Sequence, residues 1–330
     1  MKTARYGILI GFVSLFVGLF LTAGLKTPLQ AAGPEYPNRT MNIIVPFPPG
    51  GTTDLGARAL AESMEKHLKN PVVVVNKVGG ATTVGGYTVA SAKPDGYTIG
   101  FFPPGASIPE AYAFFQEAPY TSKDLKHICA VVAPLISVAV REEAPWNSFK
   151  ELVEYAKKNP GLKVGTGGKH TAQHMLVTTL NKMEKIGLVA VPFSGDATNL
   201  PALLGGHTSI AMMDYSALKP LVEAKKVKVL AVVTDRRAEF LPNVPTVVEL
   251  GYPLVYVPLL GLNGPKGLPQ EIVEKLDNLA GRICKEQDFQ AKMRNIPLQM
   301  VYANSAAYEK VDMKYKDNIL GFFKEEGLVK

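Results

Sequence analysis

Little in this sequence invites catalytic chemistry. Its 330 residues contain two cysteines, Cys129 and Cys284. Neither follows the apolar N-terminal run, which excludes a lipid-anchored cysteine at a mature N-terminus. They stand either as a pair in an oxidising compartment or as two separate buried thiols. The nucleophile elbow G-x-S-x-G is missing, and Ser107 and Ser194 show no sign of a partnered base. His170 and His174 have the i, i+4 spacing of a zinc pair, but Thr171 stands where H-E-x-x-H needs its acid, so no metal is expected. No phosphate loop is present either: Lys169 is followed by His170, Lys163 occupies the position of the first glycine, and no G-x-G-x-x-G follows the first strand. Basic residues are scattered, with pairs at Lys157–Lys158 and Arg236–Arg237 but no block, so nucleic acid is not an expected partner. Together these absences predict a protein without catalysis and without a cofactor.

What is present begins with Lys2 and Arg5, an uncharged apolar run from Gly7 to Leu25, and small residues at Ala31, Ala32 and Gly33. That order predicts a signal peptide over residues 1–32 and export to the periplasm, with an uncleaved anchor as the competing reading. Without Lys2, Arg5 and Lys26 the formal net charge of +7 falls to +4, a mild cationic bias that favours anionic small molecules. An apolar fraction of 47% and this length suit two domains.

From Asn42 onward apolar runs alternate with helical periodicity. "NIIVPF" reads as a buried strand, and Ala57, Leu60, Ala61, Met64 and Leu68 share one helix face. "PVVVV", a helix near Val84 to Ala92 and "YTIGFF" follow, which predicts a parallel sheet with covered faces. A second series opens at Ser148, which makes a capping box with Glu151, and continues through "LKVGT", "LVAVPF", "SIAMM" and "VKVLAVVT". Between the series, "HICAVVAPLISVAV" is too apolar for a surface loop and breaks at Pro134, so it reads as a crossing between lobes. With a return near Tyr252 to Val257 the terminal helices pack back on the first lobe. The expectation is an α/β fold of two Rossmann-like lobes, residues 36–139 with 253–330 and residues 140–252, joined by a hinge with a cleft between them.

Ligands of open α/β sheets bind beyond the carboxyl ends of the strands, at helix N-termini. In the first lobe that place is held by "VPFPPGGTTD". Here Phe47 and Pro49 belong to a stiff turn, Gly50 and Gly51 permit close approach, and Thr52, Thr53 and Asp54 stand at the helix start. Asp54 is favoured there as a cap without any ligand, which leaves the threonine hydroxyls and backbone N–H groups as the better contacts. The second lobe offers "VGTGGKHTAQHM", where Gly167 and Gly168 precede a helix beginning near Thr171 and Lys169 adds a positive charge. Ser107 and Ser194 follow strands, so their loops can line the cleft. Asp214 is placed likewise, either capping the next helix or accepting a hydrogen bond at the hinge.

These segments, with "PVVVVNKVGGATTVGG", "KPDGYTIGF", "VPFSGDATNLPALLGGHTSIAMMD" and "VKVLAVVTDRRAEFLPNVPTVVELGY", resemble the extracytoplasmic solute receptors of the tripartite tricarboxylate transporter family, also called Bug receptors. The resemblance covers the whole mature chain. It implies a type II-like periplasmic binding fold that delivers a solute to a two-subunit membrane permease. It implies further that a carboxylate is held, partly through ordered waters, between Phe47–Asp54 and Gly165–Thr171. Thr52, Thr53, Gly167, Gly168 and Thr171 would then be its neighbours, with Ser107 and the Ser194 loop completing the pocket. Lys169 and His170 stand where the family commonly has small residues and serine, "FPPGASIPEAYAFF" is more apolar and proline-rich than usual, and "YVPLLGL" stands where a tryptophan often precedes the glycine-leucine pair, so the individual carboxylate is not inherited from a relative.

The sequence therefore predicts a monomeric periplasmic receptor for a small carboxylate, serving a tripartite permease. A carboxylate sensor that docks on a signalling protein is the alternative, and a secreted hydrolase is disfavoured.

Overall fold

The computed structural model describes residues 36–113, 117–168, 171–234, 236–252, 258–296, 298–325 and 327. The expected N-terminal signal peptide, Lys169, His170 and most of the expected return, residues 253–257, lie outside them. The first lobe opens with β1 (Met41–Val45), α1 (Thr52–Leu68), β2 (Val72–Asn76), α2 (Thr83–Ala90), β3 (Thr98–Phe102), the short α3 (Pro104–Ser107) and β4 (Leu125–Ala133). The second comprises β5 (Ile136–Arg141), α4 (Phe149–Lys158), β6 (Lys163–Thr166), α5 (Ala172–Glu184), β7 (Val189–Pro192), α6 (Asp196–Leu204), β8 (Ile210–Asp214), α7 (Tyr215–Glu223) and β9 (Val227–Val232). The chain closes with β10 (Leu260–Pro265), α8 (Gln270–Ile283), α9 (Gln287–Asn295), β11 (Gln299–Asn304) and α10 (Ser305–Glu325).

Two mixed sheets form, in the orders β11-β4-β10-β3-β1-β2 and β7-β6-β8-β5-β9. The expected parallel pairing holds where strands alternate with helices: β1 runs parallel to β2 and β3, and β6 to β7 and β8. The rest is antiparallel, because β4, β5 and β10 enter their sheets next to the inter-lobe crossings instead of after a crossover helix. β4 and β5 follow each other in sequence but lie in different sheets, so the crossing sits at Pro134–Leu135, ahead of the expected boundary at 139/140. Proline cannot donate to a ladder, which ends β4 there.

The predicted stripe on α1 is buried as spaced: Ala57, Leu60 and Met64 have no exposed surface, and they pack in one cluster with β1, β4 and α8. Complete burial of a side chain the size of Leu60 contributes about 1.5–3 kcal/mol. Cys129 and Cys284 belong to this cluster as separate free thiols, and burial raises both above the usual thiol range, Cys284 to about 12. On α4, Ser148 caps through Glu151 N–H at 3.1 Å, while Glu151 reaches back to Asn147 N–H at 2.7 Å.

The expectation that all the terminal helices return to the first lobe needs correction. α8 and α9 do so, through Leu276, Ile283, Phe289 and Met293. α10 divides between the lobes: its Tyr308 packs with Ala130 and Ala133 of β4, whereas its Tyr315, Ile319, Phe322 and Phe323 share a core with Phe149, Met175 and Ile210. At 21 residues, α10 is long enough to reach both cores, and it carries apolar residues for each. It is therefore a further tie across the hinge.

Candidate functional site

The glycine turn after β1 leads into α1, whose N-cap is Gly51 with extended backbone and no side-chain cap. The N–H groups of the first turn thus have no carbonyl partner inside the helix and carry its positive dipole end. Asp54 does not cap. It lies in the third helical position and folds back, taking Gly50 N–H at 2.9 Å on one oxygen together with Arg58 Nε at 2.9 Å, and Asn76 Nδ2 at 2.8 Å on the other. Burial alone would raise its pKa, but the hydrogen bonds from Arg58, Gly50 and Asn76 hold it below the usual carboxylate range. At 1% exposure it is the brace of the turn and does not face the cleft. Gly50 has φ +91°, a conformation that a side chain would strain.

In the second lobe, the Thr166 and Thr171 hydroxyls both donate to the Gly168 carbonyl, at 3.2 and 3.0 Å, and Thr171 also receives His174 N–H at 3.4 Å as the cap of α5. Gly168 adopts φ +152°, so the loop turns sharply and presents Gly167 to the cleft. A third helix start points the same way: the N-cap of α6 is Gly195, with φ +126° and no side-chain cap.

These starts surround two adjoining chambers. The inner one, about 420 Å³, reaches the crossing at Pro134 and Leu260 and is lined by Phe47, Thr52, Thr53, Thr82, Gly167, Thr171, Asp196 and Asp214, among others. The outer one, about 820 Å³, adds Pro49, Gly50, Ser194, Ser216 and Lys219. Thr52 Oγ1 and Ser216 Oγ stand 3.0 Å apart, a hydrogen bond between the lobes.

Two acids shape the second-lobe wall. Asp214 caps α7 by accepting Ser216 N–H at 2.9 Å, which selects the first of its two expected roles. Its other oxygen, Oδ2, is buried and makes no close hydrogen bond, although the Leu135 backbone and the Thr52 hydroxyl lie near enough to the carboxyl to favour its charged form. A buried unsatisfied polar group costs about 1–3 kcal/mol, and more if charged. Burial raises the Asp214 pKa, partly offset by its bonds with Ser216, the Leu135 backbone and the Thr52 hydroxyl. Asp196, the first residue of α6, accepts Asp214 N–H at 3.2 Å. Burial, then the neighbouring Asp214 charge, push its pKa up to about 7.

Ser107 requires correction as a cleft residue. It is fully buried behind the wall, donating to Asp312 Oδ2 at 2.6 Å, where His127 Nε2 also lies at 2.9 Å. Its helix contributes Pro104 and Gly105 to the inner chamber instead. Gly168 shapes its loop without lining either chamber, and Lys169 lies outside the described residues. Ser194 lines the outer chamber, 3.2 Å from Thr198 Oγ1. Conversely, sequence reading missed Ala81, Thr82, Tyr112, Gln173 and Asp196, all in the inner wall. Thr82 combines φ +88° with a buried hydroxyl lacking a partner. The signal for it was the "VGGATT" turn after β2, at the same sheet end as the other loops. Among the described residues no cluster of histidine, cysteine or acid could hold a metal ion.

A profile described as Tripartite tricarboxylate transporter family receptor matches residues 56–319. The protein BugT of Bordetella pertussis is 29% identical over 265 residues, covering 79% of this chain and 81% of its own. Among solved structures, Rpa4515 of R. palustris with adipate is 25% identical, with a TM-score of 0.80 over 88% of this chain and 98% of that one. MatC of Rhodopseudomonas palustris with bound malate is also 25% identical, with a TM-score of 0.72 over 87% and 99% of the two chains.

Proposed function

The chain belongs to the tripartite tricarboxylate transporter receptor family, and from that membership and the cleft we propose that it captures a small carboxylate in the periplasm and hands it to a two-subunit membrane permease. Receptors of this family bind solutes, and two structural neighbours hold the dicarboxylates adipate and malate. The observation that carries the reading is the start of α1. It is an N-terminus without a side-chain cap, whose Thr52 and Thr53 share a chamber with Gly167 and the cap of α5.

An anion there meets backbone N–H groups and threonine hydroxyls from both lobes, so it binds best when the lobes approach. The Thr52–Ser216 bond joins the two lobes beside that site. A ligand shifts the lobes toward the closed form by as much as its affinities for the two forms differ, and the closed form is the species the permease recognises. The protein needs no catalytic step for this and is a monomer in the periplasm.

Native mass spectrometry of freshly purified full-length protein tests the proposal. A retained solute with the mass of a carboxylic acid is the expected result. A retained neutral solute, with no binding of carboxylates added afterwards, would overturn it.

A further inference from the structure

We propose that Asp312 of α10 is a positioning residue for solute capture: it clasps residues 103–112, which wall the inner chamber, and so limits the room beyond the bound carboxylate. This rests on the carboxylate reading and deepens it.

After β3 the chain leaves the sheet at Pro103, passes through the four residues of α3 and then through a single turn of 3-10 helix, Pro109–Tyr112. Pro103, Pro104, Gly105 and Tyr112 of this segment line the inner chamber. Helical turns this short do not hold themselves in place, so the wall depends on what grips it from outside.

One face of α10 supplies the grip. Asp312 Oδ2 accepts the Ser107 hydroxyl at 2.6 Å, Tyr315 bonds the Tyr112 hydroxyl, and Lys316 Nζ lies 3.5 Å from Glu110 Oε1. Residues 312, 315 and 316 stand at i, i+3 and i+4, neighbours on a helix surface. His127 Nε2 of β4 lies 2.9 Å from the same Asp312 oxygen, and Ser305, at the start of α10, donates to the His127 carbonyl at 2.7 Å. Asp312 therefore joins the chamber wall, the C-terminal helix and the first-lobe sheet at one atom.

The clasp also spans the hinge. Ile108 and Ala111 sit in the second-lobe core with Tyr315 and Ile319, whereas Ser107 and Asp312 are tied to β4 through His127. Segment 103–112 and α10 thus pass from one lobe to the other together, and Asp312 marks the place where they are fastened.

Ser107 and Asp312 have no exposed surface. With His127 they are the residue types of a hydrolase triad, but the carboxylate stands between serine and histidine, so the serine proton points to Asp312 and not to an imidazole. Nor is stability reason enough for an acid here: apolar residues of similar size in place of a buried pair are commonly as stable. What the carboxylate adds is a fixed hydrogen-bonding point for α3.

The test is calorimetry of the full chain with straight-chain mono- and dicarboxylates of about three to eight carbons, on wild type, Asp312→Ala, Asp312→Asn and Ser107→Ala, with amide hydrogen exchange on the same proteins without solute. Wild type should prefer one length and reject longer acids by at least about tenfold. Asp312→Ala and Ser107→Ala should shrink that rejection to about threefold or less while keeping the affinity for shorter acids, whose contacts at the starts of α1 and α5 are untouched. Asp312→Asn keeps an acceptor for Ser107 and should restore the rejection. Exchange at residues 104–112 should quicken by at least about tenfold in both alanine variants, and stay as in wild type in the asparagine variant and in α1 throughout. Ser107→Ala removes only a hydroxyl and serves if Asp312→Ala does not fold.

An equal loss at every chain length would make Asp312 a residue of stability alone and overturn its positioning role. So would unchanged exchange at residues 104–112, or an asparagine variant that behaves like alanine. A wild type that binds no acid of the panel would count against the carboxylate reading instead, and the exchange result then decides the clasp by itself.

Discussion

Thr52 at the start of α1 and Ser216 at the start of α7 are 164 residues apart in sequence and 3.0 Å apart in space. Each belongs to a different lobe, and both line the outer chamber. Their hydroxyls form a direct polar bond between the two walls. Removing one should leave each lobe folded and weaken the closed form. Ser216→Ala is expected to lower solute affinity by about 5–10-fold, corresponding to about 1 kcal/mol for one hydrogen bond. Thr52→Ala should lose more, because Thr52 also lines the inner chamber. A double-mutant cycle read by calorimetry checks the coupling; strictly additive losses would show that the pair does not act together.

Asp196 makes the stability of the protein sensitive to pH in a definite direction. Its folded pKa of about 7 lies above the ordinary aspartate value of 3.8, so the folded state holds a proton that the unfolded chain releases. Stability from this group is present below 3.8, is lost as pH rises toward about 7, and is flat above. Asp196→Asn should therefore raise the melting temperature at pH 8 by a few degrees and flatten the profile between about 4 and 7. Scanning calorimetry of the apo protein across that range checks both. A variant that melts lower at pH 8 would contradict a charge penalised by burial and by the neighbouring Asp214.

Asp54 works the other way. Its folded pKa is depressed by the Arg58, Gly50 and Asn76 bonds, so its contribution is present above the unfolded value and lost in acid. Asp54→Asn keeps the size but loses the charge-assisted bonds that close the Gly50 turn. A loss of about 1–3 kcal/mol is expected in urea unfolding, together with weaker solute binding because the start of α1 is no longer braced.

Thr82 trades stability for position. A β-branched residue at φ +88° is strained, and such strain costs about 1–3 kcal/mol. Thr82→Gly should relieve part of it, raising the denaturant midpoint, and should weaken solute binding by removing a hydroxyl from the inner chamber. If stability and affinity both fall, the residue is ordinary packing.

The alternating series, the two glycine turns and the stripe on α1 were legible because each follows from local periodicity or turn chemistry. The crossing near Pro134 was legible too, since an apolar run broken by proline has few other uses. The rest depends on contacts between distant segments. Nothing local distinguishes Ser107 from a loop serine, and it is drawn inward by Asp312, 205 residues away. The split allegiance of α10 is invisible to helical periodicity, which reports a buried face but not which core buries it. Asp196 looks like any acid in the first turn of a helix until Asp214 is seen beside it. Asp54 carried a plausible capping signal, and the cap went to Gly51 because the carboxylate found three better donors.

The most direct test of the central claim compares a bound carboxylate with its own primary amide, which keeps the shape and removes the charge. Calorimetry of the full chain should find at least one small carboxylate bound at micromolar affinity or better, about −8 kcal/mol, with the amide weaker by about a hundredfold or more. An amide that binds as well as its acid would contradict a carboxylate held at the start of α1.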